Sequence, residues 1–562
     1  MTPLSGRVLI LGEDTRSFLS TVRSLGRAGL EVHVAWCPFT APALRSRYIH
    51  KLHRLPAYQA TDDAWLRALI HLLQAGKFDL VIPCHDSSLV PLHHHRSSLE
   101  PYARLALPDP QSFELSFSKR KAYELGQTLG VPVPPQREVR SIAELHAAAE
   151  EFGFPLVVKP EASVSTANPF YRRMVTKVFR MEDLDQVAKT LPFSQGVLVQ
   201  QNFIGIGVGV EVLCRDGEIL TAFQHERVHE PLMGGGSSYR RSVPLDPAML
   251  GAARTLMSAL NYTGVCMVEF KLNRDTGKWV LIEINNRFWG SLPLTIAAGL
   301  DIPRYLYEML CRGRSDFPQQ YRTNRYARNW VMDLYWLSAN FKNKSTDPTL
   351  LTLDGWTVAW EVFHILGLRE TSDTWAFDDP FPAIHEMAQL AGQRFGRRSR
   401  RWTLVQRSFR RAAQIAMRTG HKILFVCKGN ICRSPFAELA ARQMIGAGKE
   451  FRSAGHYPVP GRRSPKNALD AARSFTVDLS THQSVVLTEE LIDWADTIFV
   501  FDAENRAFFE DHFPNALPKV HYFGGLGRST PVEVVDPFGG SIDDFLGVYR
   551  MIQKALTDPA VP

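Results

Sequence analysis

Cysteine is scarce in this sequence, with seven residues among 562 and no paired spacing. The scatter excludes a disulfide framework of the secreted type and a zinc-ligand pattern. No apolar run reaches the roughly 20 residues that cross a bilayer, and residues 1–7 lack the layout of a signal peptide. We therefore expect a cytoplasmic protein.

Acidic residues are absent from residues 387–437, although the net charge of the chain is +8. Within 394–418 apolar residues recur at helical spacing, which predicts a basic amphipathic helix. This helix either packs as a linker between domains or lies on an anionic membrane surface. Nucleic acid is not expected as a partner, because no recognition motif accompanies the arginines. The arginines of this segment are Arg394, Arg397, Arg398, Arg400, Arg401, Arg407, Arg410, Arg411 and Arg418.

The glycine fingerprint of a dinucleotide-binding unit is missing after the first apolar run, residues 7–12. Strand and helix patterns nevertheless alternate from this run through 31–36 to 77–83, which predicts a parallel sheet with right-handed crossovers. His85 and Asp86 follow the last run directly and are candidates for substrate contacts at a strand end.

Residues 426–435 form a short loop between an apolar strand and a helical pattern. The backbone N–H groups of such a loop converge with the positive helix end on one point, which is an anion site. Cys427 at its floor would ionise below the usual thiol pKa of about 8.5 and act as a nucleophile. Arg433 can hold two phosphoryl oxygens with its planar fork, and Ser434 can donate to the sulfur. Asn430 tolerates the left-handed conformation that a tight loop needs.

Phosphoryl transfer through a cysteine also needs an acid for the leaving oxygen and a base for the attacking water. Asp536 is the candidate for both roles, because Pro537 stiffens its loop and Phe538 can flank an aromatic substrate.

These residues closely resemble the low-molecular-weight protein tyrosine phosphatase family from about His421 to the C-terminus. The resemblance implies that Ser453 braces Asn430 and that the reaction runs through a phosphocysteine on a phosphotyrosine protein or a small phosphomonoester. It also favours the tyrosine type, since related arginine phosphatases carry threonine at the position of Ile431. An arsenate reductase would need resolving cysteines, and none follows Cys432.

A second constellation lies in two strand patterns, residues 266–271 and 279–287, joined by a turn near Thr276. If they pair as a hairpin, Glu269 lies opposite Glu283, and the repulsion between the two carboxylates favours a bound cation. Alternation places Asn285 and Arg287 on the same face as Glu283. The oxygen ligands Glu269, Glu283 and Asn285 suit Mg²⁺, with Arg287 directed at the phosphoryl group or the acid.

This constellation resembles the ATP-grasp superfamily, in particular carboxylate–amine ligases of the carbamoyl-phosphate-synthase-like branch, over about residues 1–320. The resemblance implies that Lys119 and Lys159 hold ATP phosphates. It assigns the adenine hinge to Gln200, Gln201, Asn202 and Phe203. Two departures are a glutamine at 201, where a glutamate is usual, and a loop at 161–170 without glycines. The glycine run at 234–236 is either a mobile substrate loop or a turn.

An apolar share of 45% with 22% charged residues is typical of a globular protein, and the length allows three or four domains. We expect an α/β multidomain fold: a parallel-sheet pre-ATP-grasp domain (1–110), an ATP-grasp α+β domain (111–320), a helical extension and basic linker (321–420), and a doubly wound α/β phosphatase domain (421–562).

Three functional interpretations follow. In the first, an ATP- and Mg²⁺-dependent ligase of small carboxylates and amines is fused to a phosphatase. In the second, the ATP-grasp region binds nucleotide without chemistry and regulates or targets the phosphatase. In the third, it phosphorylates a substrate that the C-terminal half dephosphorylates.

Overall fold

The structure is a computed structural model in which the chain forms two compact units, Met1–Leu390 and Ala391–Pro562. The residues it describes are 3–35, 41–56, 58, 62–159, 175–188, 191, 193, 196–232, 236–342, 352–395, 400–446, 448–457, 460–528 and 530–557. Among these residues no helix is both long enough and apolar enough to cross a membrane.

The first unit begins with the predicted parallel sheet. Five strands lie in the order β3-β2-β1-β4-β5, and every neighbouring pair is parallel. The order reverses at β1, so the carboxyl ends of β1 and β4 flank the crevice where such sheets bind ligands. The elements are β1 (Arg7–Leu11), α1 (Ser17–Arg27), β2 (Glu31–Ala35), β3 (Lys51–His53), α2 (Ala64–Gly76), β4 (Leu80–Pro83), α3 (Asp86–His94), α4 (Arg96–Leu99) and β5 (Arg104–Leu105).

A small antiparallel sheet follows, with strand order β6-β9-β7-β8. Two helices precede it, and two more cross between its strands. The elements are α5 (Pro110–Phe117), α6 (Lys119–Thr128), β6 (Gln136–Val139), α7 (Ile142–Phe152), β7 (Leu156–Lys159), β8 (Thr176–Val178), α8 (Met181–Ala188) and β9 (Val197–Gln201).

The largest sheet has seven strands in the order β14-β13-β10-β11-β12-β15-β16. All neighbours are antiparallel except β15 and β16. The elements are β10 (Ile206–Arg215), β11 (Glu218–His229), β12 (Tyr239–Val243), α9 (Pro247–Ala259), β13 (Gly264–Leu272), β14 (Trp279–Asn285), α10 (Leu292–Ala298), α11 (Ile302–Arg312), β15 (Tyr326–Arg328), α12 (Trp330–Lys342), α13 (Gly355–Trp360), α14 (Val362–Leu366), β16 (Glu370–Ser372) and α15 (Phe381–Phe395).

The predicted helical extension at 321–420 also contains two short strands, β15 and β16, which extend this sheet. Arg328 explains the attachment: its buried guanidinium donates to Asp333 at 2.5 Å, to Glu361 at 2.8 Å and to Glu370 at 2.9 Å. A buried arginine is tolerated only with such partners, and here they come from α12, the junction of α13 with α14, and β16. The ion network therefore joins elements of the extension to one another, and the pairing of β12 with β15 joins the extension to the rest of this sheet.

The second unit contains a four-stranded parallel sheet in the order β18-β17-β19-β20, with helices on both faces. This confirms the predicted doubly wound α/β class. The elements are α16 (Arg400–Thr419), β17 (Lys422–Cys427), α17 (Arg433–Ile445), β18 (Glu450–Gly455), α18 (Lys466–Arg473), α19 (Glu489–Trp494), β19 (Thr497–Val500), α20 (Ala503–His512), β20 (Val520–Tyr522) and α21 (Ile542–Thr557).

The predicted basic helix is α16, and its C-terminal half packs inside this unit. Ala413 and Ala416 are buried, and the Phe409 ring lies edge-on to Tyr522 with centroids 5.2 Å apart. Arg410 donates to the carbonyl of Thr530. The unit boundary at 390–391 thus assigns α16 to the second unit, whereas the sequence places this segment in a separate linker up to residue 420.

Candidate functional site

The first candidate site is the loop between β17 and α17. The sulfur of Cys427 is buried at the end of β17, and Asn430 N–H donates to it at 3.3 Å. Ser434 Oγ, in the first turn of α17, lies 3.1 Å from the same sulfur. Asn430 adopts φ +49°, which confirms the left-handed conformation expected from the sequence. The loop therefore directs an amide and a hydroxyl at one buried thiol.

Asn430 is held from three sides. Its side-chain amide donates to Ser434 and to Ser453, each at 2.9 Å, and its side-chain oxygen accepts from Val485 N–H at 2.7 Å. The bond to Ser453 confirms the predicted brace. His482 adds a contact of 2.8 Å between its Nε2 and the carbonyl of Asn430. These bonds maintain a backbone conformation that asparagine alone adopts at a cost.

Arg433 is almost fully buried beneath the loop, and its guanidinium is held by two carboxylates. Nη1 donates to Asp502 at 2.5 Å, and Nη2 donates to Asp536 at 2.7 Å. Burial works against its charge, but the neighbouring Cys427 and both aspartates raise the pKa of Arg433. Its Nε–H is buried without a hydrogen-bond partner among the described residues. Such an orphaned, charged donor is satisfied by an anion.

Asp536 lies at the rim of this site, with a partly exposed side chain. Its second carboxylate oxygen accepts from Phe538 N–H at 3.3 Å, and the Phe538 ring is 64% exposed. The structure thus brings all five predicted phosphatase residues together: Cys427, Asn430, Arg433, Ser434 and Asp536.

Two further residues shape the loop. A Cβ on Gly455 would lie 2.7 Å from Asn430 N, so only glycine lets β18 approach so closely. Cys432 is buried, and burial raises the pKa of its thiol well above the usual range. Cys432 is therefore held as an uncharged thiol.

The second candidate site lies on the hairpin of β13 and β14, where Glu269 pairs directly with Glu283 as predicted. Asn285 Nδ2 donates to Glu283 at 3.0 Å, and Lys119 Nζ lies 3.9 Å from the same carboxylate. Burial raises the pKa of Glu269, whereas Lys119 and the Asn285 hydrogen bond lower that of Glu283 against the effect of burial. Two facing acids and one amide oxygen form an oxygen-rich set that suits Mg²⁺.

Lysines surround this acidic pair. Lys159, at the end of β7, is buried, and burial together with the nearby Lys119 lowers its pKa to about 7. Lys271, two residues after Glu269 on the same face of β13, also has a pKa lowered by burial. A buried ammonium is costly without a counter-ion, so these side chains favour a polyanionic ligand.

Arg227 is a member of this cluster that the sequence reasoning missed. It reaches from β11 across β10 and contacts Glu269 at 2.6 Å. The intervening strand makes room, because a Cβ on Gly207 would lie 2.5 Å from Arg227 Cδ. The signal that predicts side chains passing over a strand is the alternation of glycines 205, 207 and 209, the last two of which lie in β10.

Arg287 does not point freely into the site. It forms two hydrogen bonds with Asp86, of 2.6 and 3.1 Å, at the N-terminus of α3. Asp86 therefore contributes to this site, as its place after β4 suggested. His85 instead pairs with Asp14 at 2.7 Å. Burial would raise the pKa of Asp14, but the interaction with His85 lowers it below the usual value. Asn286 is buried nearby, with neither amide atom hydrogen-bonded within the described residues.

The predicted adenine hinge is the end of β9 and the residues after it. Gln200 is buried and donates to Gln136 at 3.1 Å, whereas Gln201 is exposed. Asn202 and Phe203 are half-buried, and the Phe203 carbonyl accepts from Lys271 at 3.4 Å. The loop at 161–170 and glycines 234 and 235 lie outside the described residues.

Residues 422–559 match the family model described as low molecular weight phosphotyrosine protein phosphatase. The chain is 34% identical over 139 residues to a protein-arginine-phosphatase of Bacillus subtilis, covering 24% of this chain and 89% of the relative. It is 33% identical over 135 residues to the low molecular weight protein-tyrosine-phosphatase Etp of Escherichia coli K12, with 24% and 89% covered. The chain belongs to the low molecular weight phosphotyrosine protein phosphatase family.

The first unit is similar to a different set of proteins. Residues 194–330 match a family model described as ATP-grasp in the biosynthetic pathway with Ter operon. The chain is also 26% identical over 231 residues to the large chain of carbamoyl phosphate synthase from Thermomicrobium roseum, covering 39% of this chain and 20% of that relative. The chain therefore joins an ATP-grasp region to a low molecular weight phosphatase domain, as predicted.

Proposed function

We propose that the phosphatase domain hydrolyses phosphomonoesters of the phosphotyrosine class through a covalent phosphocysteine at Cys427. The observation that carries this proposal is the convergence of the Cys427 sulfur, the Asn430 amide and the buried Arg433 guanidinium, whose Nε–H has no hydrogen-bond partner in the described part of the chain. A phosphoryl group has the charge and the oxygen spacing to bind there, and it would compete with Asp536 for Arg433.

In the first step the Cys427 thiolate attacks phosphorus, and the bond between phosphorus and the leaving oxygen breaks. Protonated Asp536 transfers its proton to that oxygen. In the second step the Asp536 carboxylate takes a proton from water, whose oxygen attacks phosphorus and breaks the sulfur–phosphorus bond. The Ser434 hydroxyl, 3.1 Å from the sulfur, donates to the departing thiolate. Inorganic phosphate leaves, and both side chains return to their starting states.

The test compares variants on aryl phosphates. Cys427→Ser should abolish hydrolysis while leaving ATP binding unchanged, and residual turnover above background would remove Cys427 from its role. Asp536→Ala should slow substrates with poor leaving groups far more than those with good ones. An equal loss on both classes would contradict the acid assignment.

Phosphoarginine is the second candidate substrate class, since the relatives include a protein-arginine-phosphatase. Ile431, on the loop and nearly buried, favours phosphotyrosine by its apolar contact surface. The ratio of kcat/KM for phosphotyrosine and phosphoarginine peptides decides between them. Ile431→Thr should shift that ratio towards phosphoarginine.

The ATP-grasp region acts as an ATP-dependent ligase of a small carboxylate and an amine. Lys119 and Lys159 hold ATP phosphates, the segment from Gln200 to Phe203 contacts adenine, and Glu269, Glu283 and Asn285 hold Mg²⁺. The facing pair of acids, Glu269 buried and Glu283 half-buried, supports this assignment, because Arg227 binds one Glu269 oxygen and the other has no hydrogen bond from the described residues. The metal would neutralise phosphate charge, and Arg287 would bind the acid after exchange from Asp86.

Glu283→Ala should eliminate Mg²⁺-dependent ADP release without changing phosphatase activity, and unchanged release would defeat the metal assignment. ADP release that requires both an added acid and an added amine supports the ligase. Tight ATP binding without turnover supports the alternative, a nucleotide-binding module that regulates or targets the phosphatase. We also propose that residues 394–418 contact an anionic membrane surface peripherally.

A further inference from the structure

Helices α13 and α14 present an apolar surface outward. Trp356 is 80% exposed, Trp360 64%, Leu366 70% and Leu368 80%. Phe363 is also exposed, and its ring lies 4.9 Å from that of Trp360. Large side chains exposed together in this number mark an interaction surface, because burial of each would be strongly favourable.

The polar side chains of the same segment point inward. Glu361 is buried and accepts from Arg328 at 2.8 Å, and His229 Nε2 lies 2.7 Å from its other oxygen. His364 stacks on Tyr326 with centroids 3.9 Å apart, and its Nδ1 lies 2.7 Å from the hydroxyl of Tyr239. These inward polar contacts anchor the two helices with their apolar side chains facing outward. The exposed apolar face is therefore fixed by the fold.

Positive charge borders this face. Arg325 donates to the carbonyl of Leu368 at 2.9 Å, and Arg322 donates to that of Ala297. Burial and the positive charges of Arg322 and Arg369 lower the pKa of Arg325. No ion pair with a carboxylate involves them among the described residues. The one acidic residue within 355–369 is the buried Glu361.

We propose that the surface formed by residues 355–369 with Arg322 and Arg325 binds an anionic phospholipid membrane, with α13 and α14 lying in the headgroup region. Tryptophan, phenylalanine and leucine suit the boundary between headgroups and acyl chains, and adjoining arginines suit anionic lipid. These arginines form no ion pair with a carboxylate among the described residues. A protein partner would have to supply an acidic residue for each arginine, whereas an anionic lipid surface neutralises all of them together. This surface is separate from the 394–418 segment and independent of either catalytic proposal.

The experiment is sedimentation of the full chain with vesicles of phosphatidylglycerol and phosphatidylcholine, compared with phosphatidylcholine alone. We expect binding to the anionic vesicles that weakens as NaCl is raised, because exposed charges are screened. W356A/W360A should weaken partitioning by about 100-fold, since each buried indole contributes about a factor of ten. R325Q/R369Q should remove the preference for anionic lipid.

Ile142→Ala is the matched control, because it removes a 50%-exposed apolar side chain from α7. It should leave binding unchanged, and phosphatase activity should be equal in all variants. Binding that W356A/W360A leaves intact, or that R411Q/R418Q in α16 alone abolishes, would overturn the proposal. The absence of binding to anionic vesicles would also overturn it. If the chain then self-associated and W356A/W360A converted it to monomer, a second copy of the chain would be the partner that covers this face.

Discussion

The lowered pKa of Lys159 predicts that ATP binding takes up a proton. In the free protein, burial and Lys119 hold this pKa at about 7 instead of the usual 10.5. Bound phosphates would stabilise the charged ammonium and raise the pKa again. With a pKa of about 7, the free amine is about half protonated at pH 7 and about one-tenth protonated at pH 8. Uptake should therefore rise from about 0.5 to about 0.9 proton per ATP.

Isothermal titration calorimetry measures this directly. The observed enthalpy, plotted against the ionisation enthalpy of several buffers at one pH, has a slope equal to the number of protons taken up. The ATP affinity should also fall by nearly tenfold for each pH unit above about 8, because the unprotonated lysine must then be charged on binding.

Lys159→Arg provides the matched control, because guanidinium keeps its proton throughout this pH range. Its slope should be close to zero at pH 8, whereas Lys121→Arg, which alters a half-buried lysine on α6 that donates to Glu114, should retain the wild-type slope. A buffer-independent enthalpy for the wild-type protein at pH 8 would refute the reasoning, as would a slope that Lys159→Arg leaves unchanged.

Three further predictions concern backbone and packing. Gly455→Ala should lower phosphatase kcat by about 100-fold or more, because its Cβ would displace the Asn430 amide from the sulfur; an unaffected kcat would show that β18 can move. Asn430→Gly keeps the positive φ but loses the brace, so its kcat should lie between wild type and Asn430→Ala. Gly207→Ala should displace Arg227 and leave Glu269 unpaired, at about 3–5 kcal/mol of unfolding free energy in urea; the loss should be smaller in a Glu269→Gln background.

Local patterns were sufficient for the predictions that the structure bears out. The strand, loop and helix around Cys427 are consecutive in the chain, so the positions of Asn430, Arg433 and Ser434 follow from spacing alone. The pairing of Glu269 with Glu283 likewise follows from one short hairpin, whose turn sets the register. Asp536, 103 residues after Arg433, was predicted from its own loop, because Pro537 stiffens that loop and Phe538 can flank an aromatic substrate.

Strands β15 and β16 within the extension at 321–420 were not predicted, because each is three residues long and carries no alternation of its own. They are held by Arg328, two of whose carboxylate partners, Glu361 and Glu370, lie 33 and 42 residues further on. The exposed apolar face of α13 and α14 was not predicted either, because aromatic residues in a helix are ordinarily assigned to a core.

By itself the sequence determined the centre of each candidate site, because that centre lies within one loop or one hairpin, where chain connectivity imposes the geometry. Only the tertiary structure decided the electrostatic state of each site: that Arg227 crosses β10 to Glu269, that Asp86 holds Arg287, and that Asp502 and Asp536 hold Arg433. These pairs join strands and helices that are far apart in the chain. Their energy depends on burial and distance, which the packing of sheets sets and which no local pattern encodes.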